Sequence, residues 1–275
     1  MIMPDFLIVG AQKAASTWLT VHLQEHPDIY LPQSEIHFFN AHYDRGVEWY
    51  SRQFRPSGET LIGEKSPLYL SHPEAPARIH ETLGDNVRLI ASLRQPVDRA
   101  YSAYWHSIKG GRVRPDLDFL TAFREVLPDL KENGEYWKQI DRYLEHFSRD
   151  QLLVQVFEEA MSRPQDALSE CLAFLGLDSS FSFAGTGASI NRAPRQIRVF
   201  TRQAWALSRR LNRLPPILRR PLKSAGRSLF SALPKVREHE RLPRDIRREL
   251  TREFKPGIER LEGILDRDLS AWYDD

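Results

Sequence analysis

Residues 6–23 read FLIVGAQKAASTWLTVHL. The run FLIVG has the length and composition of a buried strand, and a helical pattern begins near Ser16. A helix starting there leaves backbone N–H groups pointing out of its first turn, beside the positive end of its dipole. Together with Lys13, Ser16 and Thr17 they make a donor set suited to an anion such as a phosphate. The dipole alone contributes about 0.3–1 kcal/mol at an exposed site. Charge-assisted hydrogen bonds contribute more, about 1.5–3 kcal/mol each. In the triphosphatase loop G-x-x-x-x-G-K-[ST] the lysine opens the helix. Here Lys13 comes three residues before Ser16, so the stretch alone is also compatible with an ordinary strand-to-helix turn.

Further buried strands are expected at 60–64, 87–93 and 152–157. Helical patterns fall at 16–25, 45–54, 73–83, 96–107, 116–127, 134–147 and 163–175. Short apolar strands alternating with helices predict an α/β fold, a central parallel sheet flanked by helices. Ligands of such sheets bind beyond the carboxyl ends of the strands. The segments GAQKAAST, GEKSP and RQPVDRAYS then share one rim, and each carries a cation.

In RLIASLRQPVDRAYSAY a buried strand ends at Arg94, Pro96 opens a helix, and Ser102 lies two turns along it. A magnesium-dependent triphosphatase tends to place a metal-binding aspartate at that strand end. A cation there suits a further phosphate instead, and the acids and histidines show no metal-ligand spacing, so metal-free transfer is expected. In SEIHFF, Glu35 and His37 project to the same side of an extended segment. A carboxylate so placed can take a proton from an acceptor. Lys65, just after a strand, can stabilise developing negative charge if it converges on the first loop. In isolation a glutamate like Glu35 is more often a surface or capping group, and Lys65 a surface lysine.

The chain has 275 residues, 41% hydrophobic and 28% charged, with a net charge of +2. These are ordinary soluble-protein values, and the net charge gives no argument for nucleic acid. The lone cysteine, Cys171, excludes an intrachain disulfide and lies in an apolar helical pattern, as a core residue would. No signal peptide or membrane span is expected, which points to a cytoplasmic protein. From Arg192 to Ser228 there are eleven basic residues and no acid. This basic helical segment reads as a solvated face, as a lid steering an acidic ligand, or, over 199–228, as a peripheral membrane contact. The loop SIKGGRVRPD (107–116) borders the acceptor cleft or is an exposed turn.

The joint content of these motifs resembles the sulfotransferases that use 3′-phosphoadenosine 5′-phosphosulfate (PAPS) as donor. GAQKAASTWL looks like their 5′-phosphosulfate loop and LRQPVDRAYSAY like their 3′-phosphate motif. SEIHFFN, VEWYSRQF and GEKSPLYL resemble the branch containing the heparan sulfate N- and 3-O-sulfotransferases. LEGILDRDLSAWYDD resembles bacterial members, and the likeness runs over about residues 5–272. It implies one P-loop-like sulfotransferase domain over 1–275, with adenosine 3′,5′-bisphosphate (PAP) as product. It further implies that Lys13, Ala14, Ala15, Ser16, Thr17 and Trp18 contact the 5′ side of the donor. Arg94 and Ser102 would bind the 3′-phosphate, and Arg192 and Arg195 are candidates to close over the nucleotide. Glu35 would be the base, Lys13 and Lys65 would neutralise the leaving oxygen, and His37 would orient Glu35 or the acceptor.

The expected acceptor is a saccharide, glycolipid or secondary metabolite. Two rival readings remain: a magnesium-dependent phosphotransferase using ATP, and a non-catalytic nucleotide- or polyanion-binding protein. Neither the acceptor position nor the oligomeric state follows from the sequence.

Overall fold

Alternation along one strand sets the layering. In β1 (Phe6–Gly10), Leu7 and Val9 enter one core while Phe6 and Ile8 enter another, and all four are fully buried. A strand covered on both faces has to be apolar throughout, hence the unbroken run in the sequence. β4 (Arg88–Leu93) divides in the same way, with Leu89, Ala91 and Leu93 on the first face and Ile90 on the second. The computed structural model describes residues 1–186, 196–199, 235–238 and 241–273.

Five parallel strands form the central sheet in the order β2-β3-β1-β4-β5. The others are β2 (Ile29–Tyr30), β3 (Leu61–Lys65) and β5 (Leu152–Val156). The second face is covered by α1 (Ser16–Leu23) and α9 (Pro164–Leu175), through Leu19, Leu23, Leu168 and Leu172. Over the first face lie α2 (Val47–Ser51), α3 (Ala75–Leu83), α4 (Pro96–Lys109), α7 (Tyr136–Leu144) and α10 (Arg244–Leu265), which contribute Tyr50, Ile79, Ala100, Ile140 and Leu250. Short helices α5 (Phe119–Thr121), α6 (Asp129–Glu132) and α8 (Phe157–Ser162) connect these layers. On edge strand β5 the carbonyls of Leu152 and Val154 accept hydrogen bonds from Arg149 Nη1 (2.8 Å) and Arg267 Nη1 (2.9 Å). None of the described helices is long and apolar enough to cross a membrane.

The α/β expectation holds, and the four longer strands fall within one residue of their expected ends. Three local differences have physical causes. The helix expected over 116–127 is broken: Asp118 caps α5, and a wide π-helical turn follows at Ala122–Val126. The strand expected to reach 157 stops at Val156, and Phe157 opens α8. Within the segment expected to be helical over 192–228, residues 196–199 are instead a strand, β6 (Gln196–Val199), antiparallel to β7 (Lys235–Glu238). Its alternating Gln-Ile-Arg-Val suits an extended backbone better than a helix. Arg192, Arg195 and the remainder of 192–228 lie outside the described residues.

Gly63 sits opposite Phe6 across the β1–β3 pair. A β-carbon there would lie 2.2 Å from the ring of Phe6, which is fully buried and cannot turn aside. Gly63→Ala should therefore destabilise the fold by about 1–3 kcal/mol, read from urea midpoints; a loss below about 0.5 kcal/mol would show that the sheet yields freely at this point.

Candidate active site

The loop after β1 is tied to the end of β4 by one residue. Ser92 is 4% exposed; its carbonyl accepts the Ala11 N–H at 2.7 Å, and its hydroxyl donates to the Ala14 carbonyl at 2.6 Å. Gly10 lets the segment after β3 pass close on the other side, since a β-carbon there would lie 2.5 Å from Leu70 Cβ. The chain then turns through two left-handed residues, Lys13 (φ 74°) and Ala15 (φ 65°). A residue with a β-carbon is disfavoured in that region by about 1–2 kcal/mol, and such outliers gather where a site over-determines the backbone. The first bond of α1 is from Leu19 N–H to the Ala15 carbonyl, so the earlier N–H groups at Ser16, Thr17 and Trp18 remain for a ligand. Ser16 and Ala14 are buried and Thr17 is exposed. The Trp18 indole packs in the second core, so this residue has its main-chain N–H, not its ring, to offer.

Arg94, at the end of β4, leans over the same loop. Its Nη1 lies 3.4 Å from the Lys13 carbonyl, and its guanidinium stacks on Phe157 at 4.7 Å. The Tyr136 hydroxyl donates to its carbonyl at 2.9 Å. Its Nε is buried with no hydrogen-bond partner, an arrangement that suits a site for an anion. Ser102 lies half-buried on α4. One helical face of α4 carries Ser102, His106 and Lys109, spaced by four and three residues. Burial, then Lys109 and Arg94, push the Lys13 ammonium below its usual range, opposed by Glu35. Burial, then Lys13 and Lys109, likewise lower His106. His106 was not singled out in the sequence, and Lys109 only as part of the 107–116 loop, although their spacing from Ser102 is a readable signal.

The acidic partner stands across the rim. Lys65 Nζ donates to Glu35 Oε1 at 2.6 Å, and His37 Nε2 meets Glu35 Oε2 at 3.0 Å. On the other side of the ring, His37 Nδ1 faces Asn40 Oδ1 at 3.2 Å. The hydrogen bond from His37, reinforced by Lys65 against the opposing effect of burial, holds the Glu35 carboxyl down at about 2. The same bond raises His37 above its ordinary value, with burial opposing. His37 is itself left-handed (φ 56°), and its N–H donates to Ser66 Oγ at 3.0 Å. Beneath it lies Glu64, wholly buried, whose carboxylate accepts from the hydroxyls of Ser66 (2.7 Å), Tyr69 (2.7 Å) and Tyr50. Burial raises its pKa, and these three hydroxyls oppose that shift.

The structure thus groups Lys13 with Arg94, and Glu35 with His37 and Lys65; Glu35 also acts electrostatically on Lys13. In the 107–116 loop, Arg112 and Arg114 are engaged by Asp129 and Asp116, while Lys109 acts electrostatically on Lys13. Cys171 is fully buried, as a core residue. Among the described residues no three His, Cys, Asp or Glu side chains form a metal-binding group.

A family model described as the sulfotransferase domain matches residues 3–191. The chain belongs to the sulfotransferase family. Human heparan sulfate glucosamine 3-O-sulfotransferase 3B1 is 34% identical over 186 residues, covering 64% of this chain and 46% of that protein. A bifunctional heparan sulfate N-deacetylase/N-sulfotransferase from Caenorhabditis elegans is 32% identical over 191 residues, covering 64% of this chain and 22% of that one. The chain therefore spans less than half the length of these curated relatives. The crystal structure of a sulfotransferase from Alicyclobacillus acidocaldarius matches over the whole of both chains, at 28% identity with a TM-score of 0.72. The sheet is that of the P-loop-like sulfotransferase fold.

Folded His37 holds its proton more tightly than the unfolded chain does. Its contribution to stability is complete below pH 6.5 and is lost as pH rises through the raised value. That of Glu35 is complete above 4.5 and is lost as pH falls toward about 2. An NMR titration should place the His37 midpoint above 6.5, and Glu35→Gln should move it back down; an unchanged midpoint in the variant would remove Glu35 as the cause.

Proposed function

We propose that this chain transfers a sulfuryl group from PAPS to a hydroxyl or amine of a saccharide, glycolipid or secondary metabolite. The observation that carries the reading is the placement of Arg94 against the loop of Lys13, with a proton-accepting carboxylate, Glu35, across the same rim. The heparan sulfate enzymes among the relatives favour a saccharide acceptor. The crystal structure of a bacterial sulfotransferase that matches the entire chain supports a bacterial enzyme made of one domain over 1–275.

In this reading Lys13 and the N–H groups of the first turn of α1 hold the 5′-phosphosulfate, with Ala14 and Ala15 keeping the loop close to it. Thr17 and Ser16 complete that side, with Trp18 acting through its main chain. Arg94 and Ser102 take the 3′-phosphate. The acceptor oxygen or nitrogen forms a bond to sulfur while the bond from sulfur to the phosphate oxygen breaks. The acceptor proton passes to Glu35, and PAP departs. Charge grows on the leaving oxygen, so Lys13 and Lys65 lower the barrier by stabilising it more in the transition state than before.

Before substrates bind, Lys65 is held by Glu35, and Glu35 is a weak base. A base works best with a pKa near the operating pH. Drawing Lys65 toward the donor loosens one of the two contacts that keep Glu35 acidic, so donor arrival and base activation are coupled. His37, fixed by Asn40, Ser66 and Glu35, orients the carboxylate. The charge of the basic segment 192–228 supports a lid that steers an anionic ligand, and β6 packs against α4, the helix of Ser102. Arg192 and Arg195 belong to that lid in this proposal.

Lys13→Ala should lower kcat about 10²–10³-fold, and Glu35→Gln about 10²–10⁴-fold, in a labelled-donor assay. PAP should bind equally in calorimetry with and without chelator. Turnover unchanged in Glu35→Gln would remove the base assignment, and PAP binding that needs a divalent ion would remove the donor reading.

A further inference from the structure

The segment around Arg94 is held from a distant part of the chain. Gln95, next in sequence and 2% exposed, uses every polar group it has. Its N–H donates to Glu158 Oε1 at 3.0 Å, and its side-chain oxygen accepts from Asp98 N–H at 2.8 Å. Its side-chain nitrogen lies 3.3 Å from both Thr251 Oγ1 and the Trp272 carbonyl. The other oxygen of Glu158 accepts the Trp272 indole N–H at 3.0 Å. One carboxylate therefore bridges the end of β4 to the turn that follows α10, each oxygen taking a single donor. Glu158 is adjacent to Phe157, whose ring carries the Arg94 guanidinium. On the opposite flank Arg247, also from α10, pairs with Asp98 at 2.6 and 3.2 Å.

We propose that Glu158 and Trp272 are positioning residues that set the orientation of Arg94 and with it the discrimination in favour of a nucleotide bearing a 3′-phosphate. The inference rests on the donor reading above. Arg94 presents a planar fork, and its use of a phosphate depends on the angle at which that fork is offered. Three contacts fix the angle: Phe157 beneath the plane, the Lys13 carbonyl at Nη1, and Tyr136 on the main chain. The Phe157 contact is set by the start of α8, and Glu158 pins that start between Gln95 and Trp272. Loosening this pin rotates the Phe157 platform and leaves the 5′ loop, which is anchored by Ser92, in place.

The test is the affinity of the full chain for two probes, PAP and adenosine 5′-monophosphate, which lacks the 3′-phosphate. Trp272→Phe keeps the buried ring and removes the N–H. It should weaken PAP binding about tenfold while leaving the monophosphate unchanged. Glu158→Gln, which stays half-buried and keeps its shape, provides a second variant and should show the same selective loss. Equal weakening of both probes, or no change in either, overturns the proposal, because a purely structural role would not distinguish them. Arg94→Ala separates this failure from that of the donor reading. If that variant also keeps its preference for PAP, the 3′-phosphate assignment itself is wrong; if it loses the preference and the other two keep it, only the positioning role fails.

Discussion

The site depends on a single buried serine. Ser92 holds the chain after β1 at two points, accepting the Ala11 N–H and donating to the Ala14 carbonyl; one left-handed residue, Lys13, lies between them and a second, Ala15, follows directly. Two hydrogen bonds in a dry setting can hold a turn that isolated residues would avoid. The free N–H groups of α1 take their direction from that turn. Ser92 also belongs to β4, the strand that leads into Arg94, so the two halves of the proposed donor site share one rigid support.

The electrostatic arrangement follows from what is left uncompensated. Around the loop, Lys13, Lys109 and Arg94 repel one another, and burial adds to the effect on Lys13. A dianionic ligand relieves that repulsion on arrival. Across the rim the balance is reversed: Glu35 is held by Lys65 and His37, and Glu64 lies underneath with three hydroxyls. In the proposed reaction the cationic half would take the donor and the carboxylate half the acceptor, a few side chains apart.

The sheet was legible because strands buried on two faces leave continuous apolar runs, as at 6–10 and 87–93. β2 was not, since Ile29–Tyr30 is too short to leave a pattern. Lys13, Arg94 and Lys65 were visible through their positions after strands, and Glu35 through its two-residue spacing from His37. The left-handed turn was hidden, because alanine stands where glycine would have announced it. Glu64 was overlooked beside Lys65, although alternation along β3 turns adjacent residues to opposite faces and so sends this acid inward. The link from Gln95 through Glu158 to Trp272 joins residues 177 positions apart, a distance across which no local pattern carries information.

The sheet finishes differently on its two sides. β2 offers only two residues, and on β5 two arginines occupy main-chain oxygens that another strand would need. Such blocking prevents edge-to-edge stacking of copies. At the central sheet, association of copies through the β5 edge is disfavoured, and partial unfolding near Arg149 or Arg267 is the event that would expose that edge.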